Sequence, residues 1–358
     1  MADPEGFLAA FGSTPLLIDE VQRVPEIYLA IKRVVDRSPL RGQYLLTGSA
    51  EPAHVAGALD SLAGRIGVVE LRPFSQAELH RRSPRFVEQL FDDGEPQWAS
   101  TERRGLSAYV DEILAGGYPE PLLLPPDARA GWHDAYLAAT FARDVREGRR
   151  PDDTGRLARL FRLIASHSGQ LLKPASLARD ADLAKNTAAS WTTALAATRI
   201  VDVVPAWMPG ERGRVVGTPK GFVLDTGLLA AALGIDRERV LSSPILTGSC
   251  AETFAVQEVL RQLGPYGARA PRAYHYRDRD QREVDLVLEH PDGRLVAIEI
   301  KASAQVGPSD TRGVAAFQRL TVRRFHRGIV LYCGEHPLPL GDGITAVPMA
   351  NLWSAGGH

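Results

Sequence analysis

The densest chemistry in this chain lies between residues 283 and 301. Glu283-Val284-Asp285-Leu286-Val287-Leu288-Glu289-His290 alternates with period two, Pro291-Asp292-Gly293 reads as a turn, and Arg294-Leu295-Val296-Ala297-Ile298-Glu299-Ile300-Lys301 resumes the alternation. Pairing His290 with Arg294 across that loop sets Val284 opposite Ile300, Leu286 opposite Ile298 and Leu288 opposite Val296, all on one apolar face. A loop one residue shorter would put Leu286 opposite Glu299 and scramble both faces, so hydrophobic patterning selects the first register. On the other face Asp285 then lies opposite Glu299, with Cβ atoms about 5 Å apart, and Lys301 stands two residues along. Two carboxylates at that distance repel unless a cation bridges them. With a nearby carbonyl they suit Mg2+ or Mn2+, and Lys301 is placed to orient a hydrolytic water. The plain alternative is an exposed hairpin face with an unremarkable Glu299–Lys301 mixture. Of the nine histidines none has ligand spacing, and His275 and His290 read as loop residues flanking the hairpin.

A second pair of acids sits near the start. Pro15-Leu16-Leu17-Ile18-Asp19-Glu20 is an apolar strand delivering two carboxylates at its C-terminal end, the pattern called Walker B, where parallel sheets bind ligands. Asp19 would hold Mg2+ and Glu20 would polarise an attacking water. A buried strand ending in two exposed acids is the plain reading.

The elements that must carry these groups belong to a chain of 358 residues, long enough for two or three domains. A net charge of −1 excludes a global basic surface, so any nucleic-acid contact must be a local patch. Two cysteines, Cys250 and Cys333, exclude a disulfide framework and suit a reducing cytoplasm. No apolar run reaches the length of a membrane helix, and no signal peptide opens the chain. Residues 1–83 alternate helices with apolar strands at Leu16–Ile18, Gln43–Thr47 and Gly67–Leu71, predicting a parallel sheet. Residues 84–235 are mainly helical after a polar stretch, 84–104, that reads as an exposed linker. Residues 236–358 predict an α/β domain.

Within the middle block, apolar periodicity predicts a helix over 156–167, a short helix opened by Pro174, and a longer one capped by Asn186 and running to Arg199. Strands around a Pro209–Gly213 turn follow. Three helices and a hairpin predict a winged helix over about 156–220, with Arg212, Arg214 and Lys220 on the wing. A DNA-reading module and a packing module both satisfy this pattern.

An ordered series of segments resembles a large bacterial and archaeal family of AAA-type ATP-binding proteins with a C-terminal domain of unknown function. Asp19-Glu20-Val21-Gln22-Arg23-Val24-Pro25 looks like its segment after Walker B, and Leu45-Leu46-Thr47-Gly48-Ser49 like its sensor 1 strand. Leu62–Ile66 and Glu70–Ser75 look like the approach to its final sheet strand. Gly116–Glu120, Arg143–Val145 and Phe222–Leu228 match later points. The resemblance implies that Asp19, Glu20, Ser49 and Arg65 face nucleotide. Arg65 would be an arginine finger reaching a neighbouring subunit of a homo-oligomer, or else a surface ion-pair residue. The hairpin resembles the PD-(D/E)XK nuclease core. Asp285 and Glu299-Ile300-Lys301 match it residue by residue, and Glu252 on the helix before the hairpin matches the extra acid often found there. The implied substrate is nucleic acid, DNA in preference to RNA, with Asp285, Glu299, Lys301 and Glu252 catalytic. The other reading is a non-catalytic regulator or scaffold, such as a toxin–antitoxin or defence component.

One departure is large. The family begins with a Gly-rich phosphate-binding loop, and no G-x-x-x-x-G-K-[ST] occurs in this sequence. An internal start or a piece of a longer protein is the simpler account, and a degenerate pseudo-ATPase with a rearranged sheet is the alternative. Without that loop nothing cradles the β- and γ-phosphates. We therefore expect no micromolar ATP affinity and no hydrolysis from this chain by itself; a micromolar calorimetric isotherm would contradict the expectation.

Overall fold

The computed structural model describes residues 3–12, 14–38, 40–48, 62, 64–146, 153–210 and 217–354. The chain divides into two compact units, residues 1–70 with 194–199, and residues 71–193 with 200–358. No described helix is long and apolar enough to cross a membrane.

The first unit contains α1 (Pro4–Ala9), β1 (Leu16–Ile18), α2 (Glu26–Arg37) and β2 (Tyr44–Leu46). Asp3 caps α1 by accepting from the Gly6 N–H. Strands β1 and β2 pair in parallel, Leu16 with Tyr44 and Ile18 with Leu46, as the apolar runs predict. One face packs on α2 through Ile27, Tyr28 and Ile31, while Leu17 and Leu45 are 61% and 62% exposed. The expected third strand at 67–71 is irregular instead. The segment pairs with no strand among the described residues, and Val69 and Leu71 stand 83% and 93% exposed.

The second unit opens with α3 (Gln76–Leu79), α4 (Phe86–Phe91), α5 (Val110–Ala115), α6 (Pro119–Leu122) and α7 (Pro126–Arg146). The stretch expected to be an exposed linker is packed. Phe86, Val87 and Leu90 are buried, the Phe91 carbonyl accepts from Arg294, and the Ala99 N–H donates to Asn351. The acids at 92–95 dominate its composition, but Phe86, Val87, Leu90 and Phe91 form a one-sided helical stripe.

Next come α8 (Asp153–Ser166), β3 (Gln170–Leu171), α9 (Pro174–Ala181), α10 (Lys185–Ala197), β4 (Val201–Val204) and β5 (Lys220–Val223). The three strands form an antiparallel sheet in the order β3-β5-β4. Asn186 lies inside α10 rather than capping it. Arg212 and Arg214 fall outside the described residues. Lys220 is not on an exposed wing; it starts the central strand and is 3% exposed.

The last part contains α11 (Thr226–Leu233), α12 (Arg237–Ser242), α13 (Pro244–Leu263), β6 (Arg272–Arg277), β7 (Glu283–Glu289), β8 (Leu295–Lys301), α14 (Arg312–Thr321), β9 (Phe325–Tyr332), β10 (Leu338–Gly341) and β11 (Ile344–Pro348). Its six-stranded sheet runs β10-β11-β9-β8-β7-β6, parallel only where β9 pairs with β8 and with β11. The β8–β9 crossover carries α14, whose Val314 and Phe317 pack on Val287, Leu295 and Ala297. Both sides of the β7–β8 hairpin are therefore apolar and buried, which removes the exposed-face alternative.

A buried charge cluster fixes this sheet's helix to the helical region. Asp225 is fully buried. Its Oδ1 accepts from the Gly227 and Leu228 N–H groups at 2.9 and 3.1 Å, capping α11. Its Oδ2 accepts from the Gly117 N–H at 2.6 Å and from Arg261 at 3.3 Å. Gly117 must be glycine because a Cβ would meet the Phe74 carbonyl oxygen at 2.1 Å. Replacing Asp225 by Ala orphans three backbone donors and removes one of the two carboxylates that pair with the buried Arg261 guanidinium. We expect a loss of about 3–5 kcal/mol, read by urea or thermal unfolding; a loss below about 1 kcal/mol would show that Asp225 is not an anchor.

Candidate functional site

The expected hairpin register is present: Leu286 pairs with Ile298, Val287 with Ala297, Leu288 with Val296 and Glu289 with Leu295. The ladder stops there, so Asp285 and Glu299 are not a paired position and Val284 does not pair with Ile300. A bulge on the other side of β7 explains the change. Tyr274 of β6 pairs with Val287, but Tyr276 pairs with Val284. Asp285 and Leu286 thus share the single step taken by His275. A bulge of this kind re-aims a side chain. Val284 and Val287, three residues apart, join one apolar cluster, and Asp285 turns out of the alternation. Its Oδ2 accepts from the Ile300 N–H at 2.9 Å, closing the gap where the ladder ends.

Three acids meet around Lys220, which the sequence placed on an exposed wing, and Glu299 lies beside them on Lys301. Lys220 Nζ lies 2.8 Å from Glu252 Oε1, 3.1 Å from Asp285 Oδ1 and 3.9 Å from Glu283 Oε2. Glu299 Oε1 accepts from Lys301 Nζ at 2.7 Å, while Glu299 Oε2 has no hydrogen-bond partner among the described residues. The site thus joins β5, α13, β7 and β8. The expected Glu252, Asp285, Glu299 and Lys301 are brought together, and Lys220 is the member that was missed. Its signal was faint: one cation after a proline, in a segment with the composition of a wing. His275 is not a loop residue but a buried member of β6, its Nε2–H donating to the Thr218 carbonyl 3.0 Å away. His290 lies just past the end of β7, as expected of a residue flanking the hairpin, and ion-pairs with Asp292 when protonated.

Local hydrogen bonds hold the acid on α13. Ser168 Oγ bonds Thr253 Oγ1 at 2.8 Å and accepts from the Val223 N–H at 3.1 Å, and Ser249 donates to the Ser168 carbonyl at 2.9 Å. Gly169, at φ +84°, passes so close that a Cβ would lie 2.7 Å from Glu252 Oε2. A cavity of about 450 Å3 opens beside the cluster, between α8, α9 and the sheet; its polar wall includes His167, Lys173, Asp180, Lys220, Arg277 and Glu283.

Burial, and next to it the charge of Asp285, raises the carboxyls of Glu252 and Glu299, each to about 8, although Lys220 and Lys301 pull the other way. Lys220 is displaced upward: burial opposes its charge, but Asp285 and Glu252 outweigh the burial. The electrostatics and geometry bear on the expected metal. Among the described residues no three His, Cys, Asp or Glu side chains converge as metal ligands. An ammonium occupies the centre between Glu252 and Asp285, where a divalent ion would have to bind both. As arranged, the set does not fit Mg2+ or Mn2+.

At the N-terminal acids, Asp19 follows β1 and accepts from the Thr47 hydroxyl just beyond β2, so two adjacent parallel strands present polar groups at their C-terminal ends. Glu20 has φ 51°, unusual for a residue with a side chain, and accepts from Gln22 at 2.9 Å. Asp19 and Glu20 both lie just past the C-terminal end of β1. Arg65 ion-pairs with Asp36 of its own chain, the plainer of its two readings. Ser49 lies outside the described residues.

The raised carboxyls set a pH dependence. A carboxyl whose folded value lies above the unfolded value of about 4.5 contributes stability that is fully present below about pH 4.5 and is lost as pH rises through about 8. His275, lowered to about 4 by burial, acts oppositely, its contribution being lost as pH falls below about 6.5. His133 is also lowered by burial. From about pH 6.5 to about pH 8 the carboxyls therefore dominate. We expect the thermal midpoint to fall over that window and Glu299→Gln to flatten part of the fall; a wild-type midpoint that rises would contradict the assignment.

The sequence matches an AAA domain over residues 2–80, a domain of unknown function (DUF8612) over 106–239 and a domain of unknown function (DUF4143) over 247–352. No solved structure matches. Two uncharacterized proteins, one from Mycobacterium bovis and one from Mycobacterium tuberculosis, are each 30% identical over 358 residues, covering 99% of this chain and 73% of their own length. The N-terminal match spans β1 and β2. The chain belongs to the family of these mycobacterial proteins, an AAA-type family with a C-terminal DUF4143 domain.

Proposed function

We propose that this AAA-type protein engages nucleic acid, DNA in preference to RNA, through its second unit. In this reading the six-stranded domain is a PD-(D/E)XK nuclease-type core and residues 153–223 are a winged helix. The observation that carries it is the convergence of Glu252, Asp285, Glu299 and Lys301, from one helix and two adjoining strands, beside a cavity walled by Lys173 and Arg277. The α-β-α-α-β-β order of α8 to β5 supports the winged-helix part. So does α10, the third helix, whose Lys185, Asn186, Ala189, Ser190 and Thr193 are exposed, leaving a small polar face of the kind that enters a major groove.

The geometry favours binding over cleavage, because Lys220 rather than a metal neutralises the acids. The other reading, Mg2+-dependent cleavage, has the Asp285–Glu299–Lys301 set in its favour. Asp19 and Glu20 keep the roles proposed for them, holding Mg2+ and orienting water, wherever a nucleotide's phosphates are cradled beside them.

The test is fluorescence anisotropy of labelled duplex and single-stranded DNA and of RNA over a salt series. Lys185→Glu and Lys173→Glu should each weaken binding across all sequences and lower the slope of log K against log salt by about 1. Wild-type protein without salt-dependent binding, or variants matching it, would sink the proposal. Cleavage in the same samples on adding Mg2+ would favour the second reading.

A further inference from the structure

The geometry points to Lys220 as the built-in cation of the carboxylate site: its ammonium holds the position of a divalent ion, and the site becomes metal-binding when that ammonium is removed. Three observations carry this. First, Lys220 Nζ lies within hydrogen-bond reach of both Glu252 and Asp285, at 2.8 and 3.1 Å, with Glu283 at 3.9 Å. A divalent ion bridging the same two carboxylates would stand about 2.0–2.6 Å from their oxygens and so within a few ångströms of the ammonium, where the two cations repel. Second, Lys220 cannot simply swing aside. Its side chain is 3% exposed, and its backbone belongs to the central strand, paired to Val204 on one side and Leu171 on the other. Third, the acids are more numerous than one ammonium needs. Glu283 stands 3.9 Å from the ammonium beyond its two closest acids, and Glu299 turns to Lys301, leaving Oε2 without a hydrogen-bond partner among the described residues.

Lys220 begins the strand that ends one residue before Leu224 and Asp225, so the cation is delivered by the helical region and the acids by α13 and the six-stranded sheet. The inference takes from the nuclease-type reading only the identity of the carboxylates. DNA binding is measured separately and can fail without touching it.

The experiment is a Mn2+ titration of the full chain. Free Mn2+ is read by electron paramagnetic resonance and the thermal midpoint is followed in parallel. The samples are wild type, Lys220→Met, Lys220→Arg and the double variant Lys220→Met with Asp285→Asn. We expect wild type and Lys220→Arg to leave millimolar Mn2+ free. Lys220→Met should bind at least about tenfold more tightly, with a rise in midpoint, and the double variant should lose that gain. Equal affinity in wild type and Lys220→Met would overturn the inference, as would Lys220→Met binding no better than the double variant. Should Lys220→Met be unfolded without metal, recovery of its far-ultraviolet circular dichroism on adding Mn2+ is the same gain. Failure to recover in both Lys220→Met and Lys220→Gln counts against it.

Discussion

A lysine ammonium buried among carboxylates governs the arrangement of the second unit. Taking one such ion out of water costs several kcal/mol even after relaxation, and only close partners of opposite charge offset that cost. Lys220 finds its partners on α13 and on β7, at Glu252 and Asp285. None of these elements can shift without exposing an uncompensated charge. The bulge in β7 follows from the same requirement: without the extra residue Asp285 would alternate toward the α14 side of the sheet, and Lys220 would lose one of its two closest acids. The arrangement is fixed in geometry but costly in net energy, a balance that functional sites carry more often than ordinary cores do.

Helix α13 is the shared wall of this site and of a second polar cluster. Glu252 faces Lys220, Gln257 donates to Asp202 and to the Val223 carbonyl, and Glu258 and Arg261 form an ion pair at 2.6 Å. Asp202 is in turn held by Arg72 at 2.8 Å. A helix buried nearly all round, as α13 is from Cys250 to Val259, would ordinarily be apolar all round. Here polar residues recur along it, and each pins a different segment: β4, β5, the α11 cap and the chain around Gln76. The helical region and the six-stranded sheet are joined by directional bonds.

In the first unit the constraint is different. Two short parallel strands with one covered face expose Leu17 and Leu45 on the other. Parallel strands are normally covered on both faces, so this pair is apolar surface suited to further packing. The polar groups that matter, Asp19 and the Thr47 hydroxyl, project past the strand ends and are brought together by the β1–β2 register alone.

Much of this was legible before any coordinates. Period-two alternation and a turn located the β7–β8 hairpin and its register through Leu286–Ile298, because burial on a strand face penalises a one-residue slip across every side chain at once. The same logic found β1 and β2, and helical periodicity found α8 to α10 to within a few residues. The acids at 252, 285 and 299 were singled out together with Lys301, and the structure places them in one site. What the sequence could not determine were the features that depend on a partner far along the chain. Gly67–Leu71 has a strand's composition but pairs with no strand among the described residues. The bulge that re-aims Asp285 is set by β6 and by the charges Asp285 must meet. Lys220 reads locally as a surface cation on a wing, because a lysine's charge normally stays in water. Only the approach of α13 and β7 supplies the carboxylates that let it be buried, and no local pattern around residue 220 encodes acids 32 and 65 positions away.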